Sequence, residues 1–190
     1  MIPKIHATTV LGIFHDGKLA LGADGQATMG STIAKSTVKK VRKLDGDILV
    51  GFAGSTSDAL TLIERLEEKL NMHRANLRRA AIELAKDWRT DRYLRRLEAM
   101  LIVMNKEEGL IISGSGDVLS PDQDVLSIGS GSMYAQSAAL ALKKHAPHLT
   151  AKQMVEEALT IAADICIYTN HNFTIETLDA GWRHVVVPDT

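Results

Sequence analysis

Short apolar runs punctuated by turn residues open the chain. Residues 8–14 (TTVLGIF) and 19–24 (LALGAD) read as strands, and Asp16-Gly17 between them favours the positive backbone angles of a hairpin. Residues 25–34 (GQATMGSTIA) read as a loop. Residues 35–44 (KSTVKKVRKL) resume a strand pattern, Asp45-Gly46 turns the chain, and residues 47–54 (DILVGFAG) form a fourth strand. Four consecutive strands with tight turns imply antiparallel pairing. From Ser55 the period lengthens: Leu60, Ile63, Leu66 and Leu70 fall at helical spacing, with Ser55 or Ser57 as cap. A second helix, capped by Asn76, aligns Leu77, Ala81, Leu84 and Trp88.

Strands return over 98–105, 109–113 and 124–128, punctuated by Gly109, Gly114, Gly116 and Pro121. A third helix starts near Ser132 and ends before Pro147. The fourth opens on Thr150 and Gln153, a capping-box spacing, and would bury Met154, Ala158, Ile161 and Ile165. Residues 173–178 (FTIETL) and 184–188 (HVVVP) are late strand candidates. Blocks of strands and blocks of helices predict an α+β fold, and two antiparallel sheets between two helical layers would cover every apolar face. No linker or repeat divides the chain, so one domain is expected.

Composition narrows the function. The 190 residues carry 22 Lys plus Arg against 23 Asp plus Glu, so global charge gives no reason to expect nucleic acid. A single cysteine excludes an intrachain disulfide framework. The longest uncharged stretch, residues 125–142, is interrupted by Ser, Gly and Gln and does not predict a membrane span. A soluble cytoplasmic protein is the expectation.

Several residues could carry chemistry. GSGS (129–132) sits between a strand and a helix, but lacks the dinucleotide and Walker spacings; by itself it reads as a tight turn. GxSxG is absent. His145, His148 and His171 have no metal-ligand pattern and read as solvated. Lys35, Lys39, Lys40, Arg42 and Lys43 form a basic run, an exposed strand face or else a nucleic-acid patch; alternation allows Lys40 to point inward without requiring it. Thr8-Thr9 could simply start a strand. If the Ala7–Thr8 bond were cleaved, Thr8 would own a hydroxyl and an α-amine of pKa about 7.7–8.0, nucleophile and base in one residue.

A family resemblance favours the second reading. TTVLGI, GADGQATMG, VKKVRKL, GFAGSTSDA, AKDWRTDRYLRRLEA, GSGDV, IGSGSMYA and DICIYTNH occur in the order of the HslV (ClpQ) family, bacterial proteasome-like peptidases partnered by the ATPase HslU. The resemblance spans residues 8–178 and implies a four-layer αββα sandwich of the N-terminal-nucleophile type. It implies Thr8 as nucleophile, Asp24 and Lys40 as the charged pair beside it, Gly54 as oxyanion donor and Ser130 as a support for proton transfer. A sodium-like cation would be bound by the backbone carbonyls of Ala163, Cys166 and Thr169, with no cofactor for catalysis. ATP would be consumed by the partner.

The same resemblance implies a dodecamer of two stacked hexameric rings, an HslU-type AAA+ ATPase partner and unfolded protein substrates. Residues 1–7 would then be a prosegment lost by self-cleavage, or mark a start upstream of the true one, ahead of a peptidase domain over 8–179. Residues 180–190 are an extension with no expected role. Two other readings stay open here: an N-terminal-nucleophile amidohydrolase of small amides, and a non-enzymatic binding protein using residues 35–43.

Overall fold

The computed structural model describes residues 8–179. Strands β1 (Thr9–His15) and β2 (Lys18–Ala23) form the first hairpin. A small hairpin follows, β3 (Ala27–Met29) and β4 (Thr32–Lys35), and then a second large one, β5 (Val41–Leu44) and β6 (Ile48–Gly54). Helices α1 (Thr56–Met72) and α2 (Leu77–Thr90) lead to β7 (Ala99–Met104), β8 (Gly109–Ser113), β9 (Val118–Leu119) and β10 (Val125–Gly129). Helices α3 (Ser132–His145) and α4 (Ala151–Ile165) precede β11 (Thr174–Asp179).

The strands make two large antiparallel sheets, ordered β10-β1-β2-β11 and β5-β6-β7-β8-β9, beside the separate β3-β4 pair. Three buried clusters define the layering. Leu62, Leu66, Leu84 and Trp88 of α1 and α2 pack on Val50, Phe52, Leu101 and Ile112 of the five-stranded sheet. Val10, Leu21, Leu49, Ile102 and Ile128 fill the space between the sheets. Leu11, Ile13 and Ala20 meet Met154, Val155, Ala158 and Leu159 of α4 on the far side. Period-two alternation gives each sheet two apolar faces, and each must be covered. Helix, sheet, sheet and helix are therefore stacked, as the element order implies.

The caps follow the sequence signals. Ser55 accepts the Asp58 N–H, Asn76 accepts the Arg79 N–H, and Thr150 with Gln153 completes a reciprocal capping box. A cap of this kind contributes about 1 kcal/mol.

Several expectations are corrected. Residues 25–34 contain the β3-β4 hairpin, which periodicity missed because β4 is exposed throughout and β3 has no apolar face. Within the basic run Lys35 closes β4 and Val41–Leu44 form β5, while residues 36–40 are held outside any ladder. The two large opening hairpins are antiparallel, as expected, and each enters a different sheet. In α1 the buried stripe uses Leu62 while Leu60 is only partly covered. In α4 it runs through Val155, Leu159 and Ala162, leaving Ile161 41% and Ile165 55% exposed. Both sets satisfy helical spacing, and packing against β1 and β2 chose between them. Residues 184–188, like the prosegment and the extension, lie outside the described residues.

Candidate active site

The ends of four strands converge where the two sheets meet. Thr8 is buried at the threshold of β1. Register pairs Thr9 with Gly129, so the turn after β10 lies beside the nucleophile candidate, and Ser130 Oγ donates to the Thr8 carbonyl at 3.3 Å. GSGS is thus the tight turn the sequence suggested, and that turn presents Ser130. A Cβ built on Gly129 would sit 2.0 Å from the Thr8 carbonyl oxygen and 3.5 Å from the Ala53 Cβ, and φ there is +97°. Only glycine fits both the angle and the space. Gly129→Ala should therefore displace Thr8, lowering peptide hydrolysis at least about tenfold and melting temperature measurably; urea titration against activity per assembled site separates the two losses.

Asp24 follows β2, and its backbone N–H returns to the Thr9 carbonyl at 3.2 Å. Its carboxylate is fully covered and receives four donors. Oδ1 takes the Thr9 N–H at 2.9 Å and Lys40 Nζ at 3.2 Å, and Oδ2 takes the N–H groups of Gln26 at 3.0 Å and Asn170 at 3.2 Å. Lys40, 3% exposed, also donates to the Gln26 carbonyl at 2.5 Å. Burial pushes the Lys40 ammonium below its ordinary pKa of 10.5, while the charge and hydrogen bond of Asp24 pull it back up. The pair therefore orients the ammonium, and burial outweighs the stabilisation of its charge that the pair was expected to provide.

Gly54 ends β6 at φ +103°, with a hypothetical Cβ 2.7 Å from the Glu98 carbonyl oxygen. Any side chain there must move the backbone. Its neighbour Ala53 reaches the Gly129 turn beside Thr8, which brings the end of β6 to the nucleophile candidate. Ala163 lies in the last turn of α4, Cys166 caps that helix, and Thr169 closes the following turn by donating its N–H to the Cys166 carbonyl at 3.0 Å. The Ala163 carbonyl, in the last turn of α4, lies at the negative end of the helix dipole. Among the described residues no group of three or more His, Cys, Asp or Glu side chains could hold a metal.

His171, an exposed side chain, shares a hydrogen bond with Asp164 Oδ1 at 2.7 Å. In the basic run Lys40 is buried against Asp24 and Lys43 pairs with Asp47 at 3.0 Å, which leaves Lys35, Lys39 and Arg42 as its exposed cations. Three side-chain arrangements escaped sequence reasoning. Thr169 Oγ1 meets Thr9 Oγ1 at 2.7 Å, Gln26 is buried with its amide on Thr28 and the Ile167 carbonyl, and Asn170 joins the Asp24 shell. A polar side chain in a turn gives no periodic signal that it is folded inward.

A family model, described as proteasome subunit, matches residues 5–178. The chain belongs to the proteasome subunit family. It is therefore a threonine-type peptidase of α+β architecture. Among proteasome-family relatives, an ATP-dependent protease subunit HslV of Cytophaga hutchinsonii is 72% identical over 175 residues, covering 92% of this chain and 97% of that protein. One from Amoebophilus asiaticus is 66% identical over 176 residues, covering 92% and 98%. The crystal structure of eukaryotic HslV from Trypanosoma brucei superposes with a TM-score of 0.86 at 43% identity, covering 90% of this chain and 99% of that one.

Proposed function

We propose that this proteasome-family chain is the peptidase subunit of an ATP-dependent protease, with Thr8 as its nucleophile once residues 1–7 are removed. The observation that carries the assignment is the single hydrogen-bonded unit at the sheet ends. Ser130 holds the Thr8 carbonyl, Asp24 holds the next N–H, and Asp24 also orients Lys40.

The freed α-amine of Thr8 takes the proton of its own hydroxyl as the oxygen attacks a peptide carbonyl carbon. The positive charge on Lys40 disfavours a second proton on that amine and keeps it basic but neutral. The tetrahedral oxyanion is received by the Gly54 N–H, a type of donor typically worth about 2.7–4 kcal/mol in the transition state. Collapse passes the proton to the departing amine and leaves an ester on Thr8. Water, deprotonated by the same α-amine, hydrolyses that ester and restores the enzyme.

Other features extend the proposal. The carbonyls of Ala163, Cys166 and Thr169 would hold a sodium-like ion, a structural role that fixes the turn after α4. Ile161, Ile165 and Ile167 are exposed along that helix end, which supports burial against another copy in a ring assembly, in keeping with a dodecamer of two stacked hexamers. Among the described residues no helix is long and apolar enough to cross a membrane, and a cytoplasmic site of action is proposed. A cytoplasmic peptidase must exclude folded proteins, so an HslU-type AAA+ ATPase would unfold substrates and thread them in.

Intact mass of the purified chain tests exposure of Thr8: loss of residues 1–7 is expected. Peptide cleavage should be weak for the isolated chain and strongly stimulated by the ATPase with ATP, provided the ATPase binds the competent state more tightly than the resting one. Folded-protein degradation should require continuing ATP hydrolysis. Full activity of the isolated chain on folded substrates would contradict the chamber, and unstimulated peptide cleavage would remove only the activation step.

A further inference from the structure

Lys40 rides on a segment with little support of its own. Residues 36–40 make no strand ladder, yet they must hold the ammonium within 3.2 Å of Asp24. Backbone bonds fix only the far half, from the Val38 N–H to the Gly25 carbonyl at 2.9 Å and from the Phe52 N–H to the Lys40 carbonyl at 3.0 Å. The near half is tied by Asn170. Its Nδ2 donates to the Ser36 carbonyl at 2.9 Å, while its Oδ1 accepts the N–H groups of Gly25 and Asn172, each at 3.1 Å. Its own N–H completes the Asp24 shell. Asn172 Nδ2 adds a second donor on Ser36 at 2.9 Å.

We infer that Asn170 is a positioning residue for the Asp24–Lys40 pair, its amide clamping the turn that carries Asp24 to the segment that carries Lys40. The inference rests on the nucleophile reading above. An amide suits this place because it accepts at one atom and donates from another on one planar group; an ionised carboxylate lacks the donor, and a hydroxyl would have to make all three bonds from a single oxygen. The clamp spans three separate pieces of chain: the end of β2, the approach to β5 and the turn after α4. Loosening it would let the Asp24 and Lys40 segments drift while leaving the Thr8 turn intact. Small displacements matter here, since a misplacement of about 1 Å in a catalytic arrangement can cost about 10²-fold.

The test compares Asn170→Ala and the isosteric Asn170→Asp with the parent in the assembled full chain, using a fluorogenic peptide in the presence of the ATPase and ATP. Asn170→Ala should lower kcat about tenfold with KM within about twofold, below the ceiling for misplacement. The charged group facing Lys40 is Asp24, and a weaker contact with it should move the alkaline limb of kcat to lower pH. Asn170→Asp keeps the acceptor for Gly25 and Asn172, loses the donor to Ser36, and adds a negative charge. It should show an intermediate kcat with the limb moved to higher pH.

The lower kcat and downward shift in Asn170→Ala, with partial kcat retained in Asn170→Asp, are the signature of positioning, because the added charge alone accounts for the upward shift; a merely structural role would lower the yield of folded rings and leave kcat per site unmoved in both. Wild-type kcat and pH profile in both variants would overturn the inference. Should Asn170→Ala fail to fold, a wild-type profile in Asn170→Asp overturns it alone. Thr8→Ala run in parallel separates the two levels: if it is active, the nucleophile reading fails and not only the clamp.

Discussion

Thr8→Ala should abolish peptide hydrolysis, a loss of at least about 10³-fold, because removing the hydroxyl removes the covalent route altogether. The ring should still assemble. Ser130 binds the backbone carbonyl of residue 8 rather than its side chain, and Asp24 binds the next N–H, so neither contact depends on the hydroxyl. Thr8→Ser should retain measurable activity, since it keeps both hydroxyl and amine. Size-exclusion chromatography, peptide turnover and intact mass on the three proteins complete the measurement. If the prosegment is removed by the same hydroxyl, the alanine form alone retains MIPKIHA. Wild-type turnover in Thr8→Ala would sink the mechanism.

Lys40→Ala comes next in expected size. The substitution removes the positive field at the Thr8 amine, so that amine binds a proton more readily and ceases to act as a base near neutral pH. Turnover should fall at least about tenfold, within the range of about 10²–10⁴ usual for general-base assistance. Stability should also fall, because Asp24 stays buried without its countercharge; breaking such a pair from one side typically costs about 3–5 kcal/mol. The three backbone N–H donors left on Asp24 should keep the loss at the lower end. Near-normal turnover at neutral pH would remove Lys40 from the chemistry.

The same lysine sets a pH signature in the unmodified protein. Its folded pKa lies below 10.5, so on raising the pH the native state releases this proton before the unfolded chain does. The positive field that favours negative charge on the attacking Thr8 oxygen is therefore lost in the window between the two values, and activity should fall with it. Through that window the unfolded state binds more protons, so the contribution of Lys40 to stability rises with pH. Activity falling while this contribution grows distinguishes titration of Lys40 from alkaline unfolding. In Lys40→Ala that rise in stability should vanish.

How much of this was legible in the sequence follows from how far each signal travels along the chain. Helix α2, with Asn76 as cap and Trp88 on its buried stripe, was readable because cap and stripe lie within a few turns of one another. The β1-β2 hairpin was readable because Asp16-Gly17 imposes the turn locally. Thr8 as a possible nucleophile was legible as chemistry, but the motif order was needed to prefer it over a plain strand start. The β3-β4 hairpin was not legible, because β4 is exposed throughout and the buried residue of β3 is the polar Thr28, so neither strand shows an apolar alternation.

Sequence alone determined the order of the two large hairpins and the four helices, their caps and turns, and the residue types able to perform threonine chemistry. Those properties depend on local backbone preference and on periods of two and 3.6 residues. Tertiary structure decided which hairpin joined which sheet, which face of α4 was buried, and that Lys40 rather than Lys39 was folded inward. It also brought Asn170 to Asp24, 146 positions away in the chain. Long-range hydrogen bonds of this kind satisfy buried polar groups only after the sheets have closed, and no local pattern encodes them.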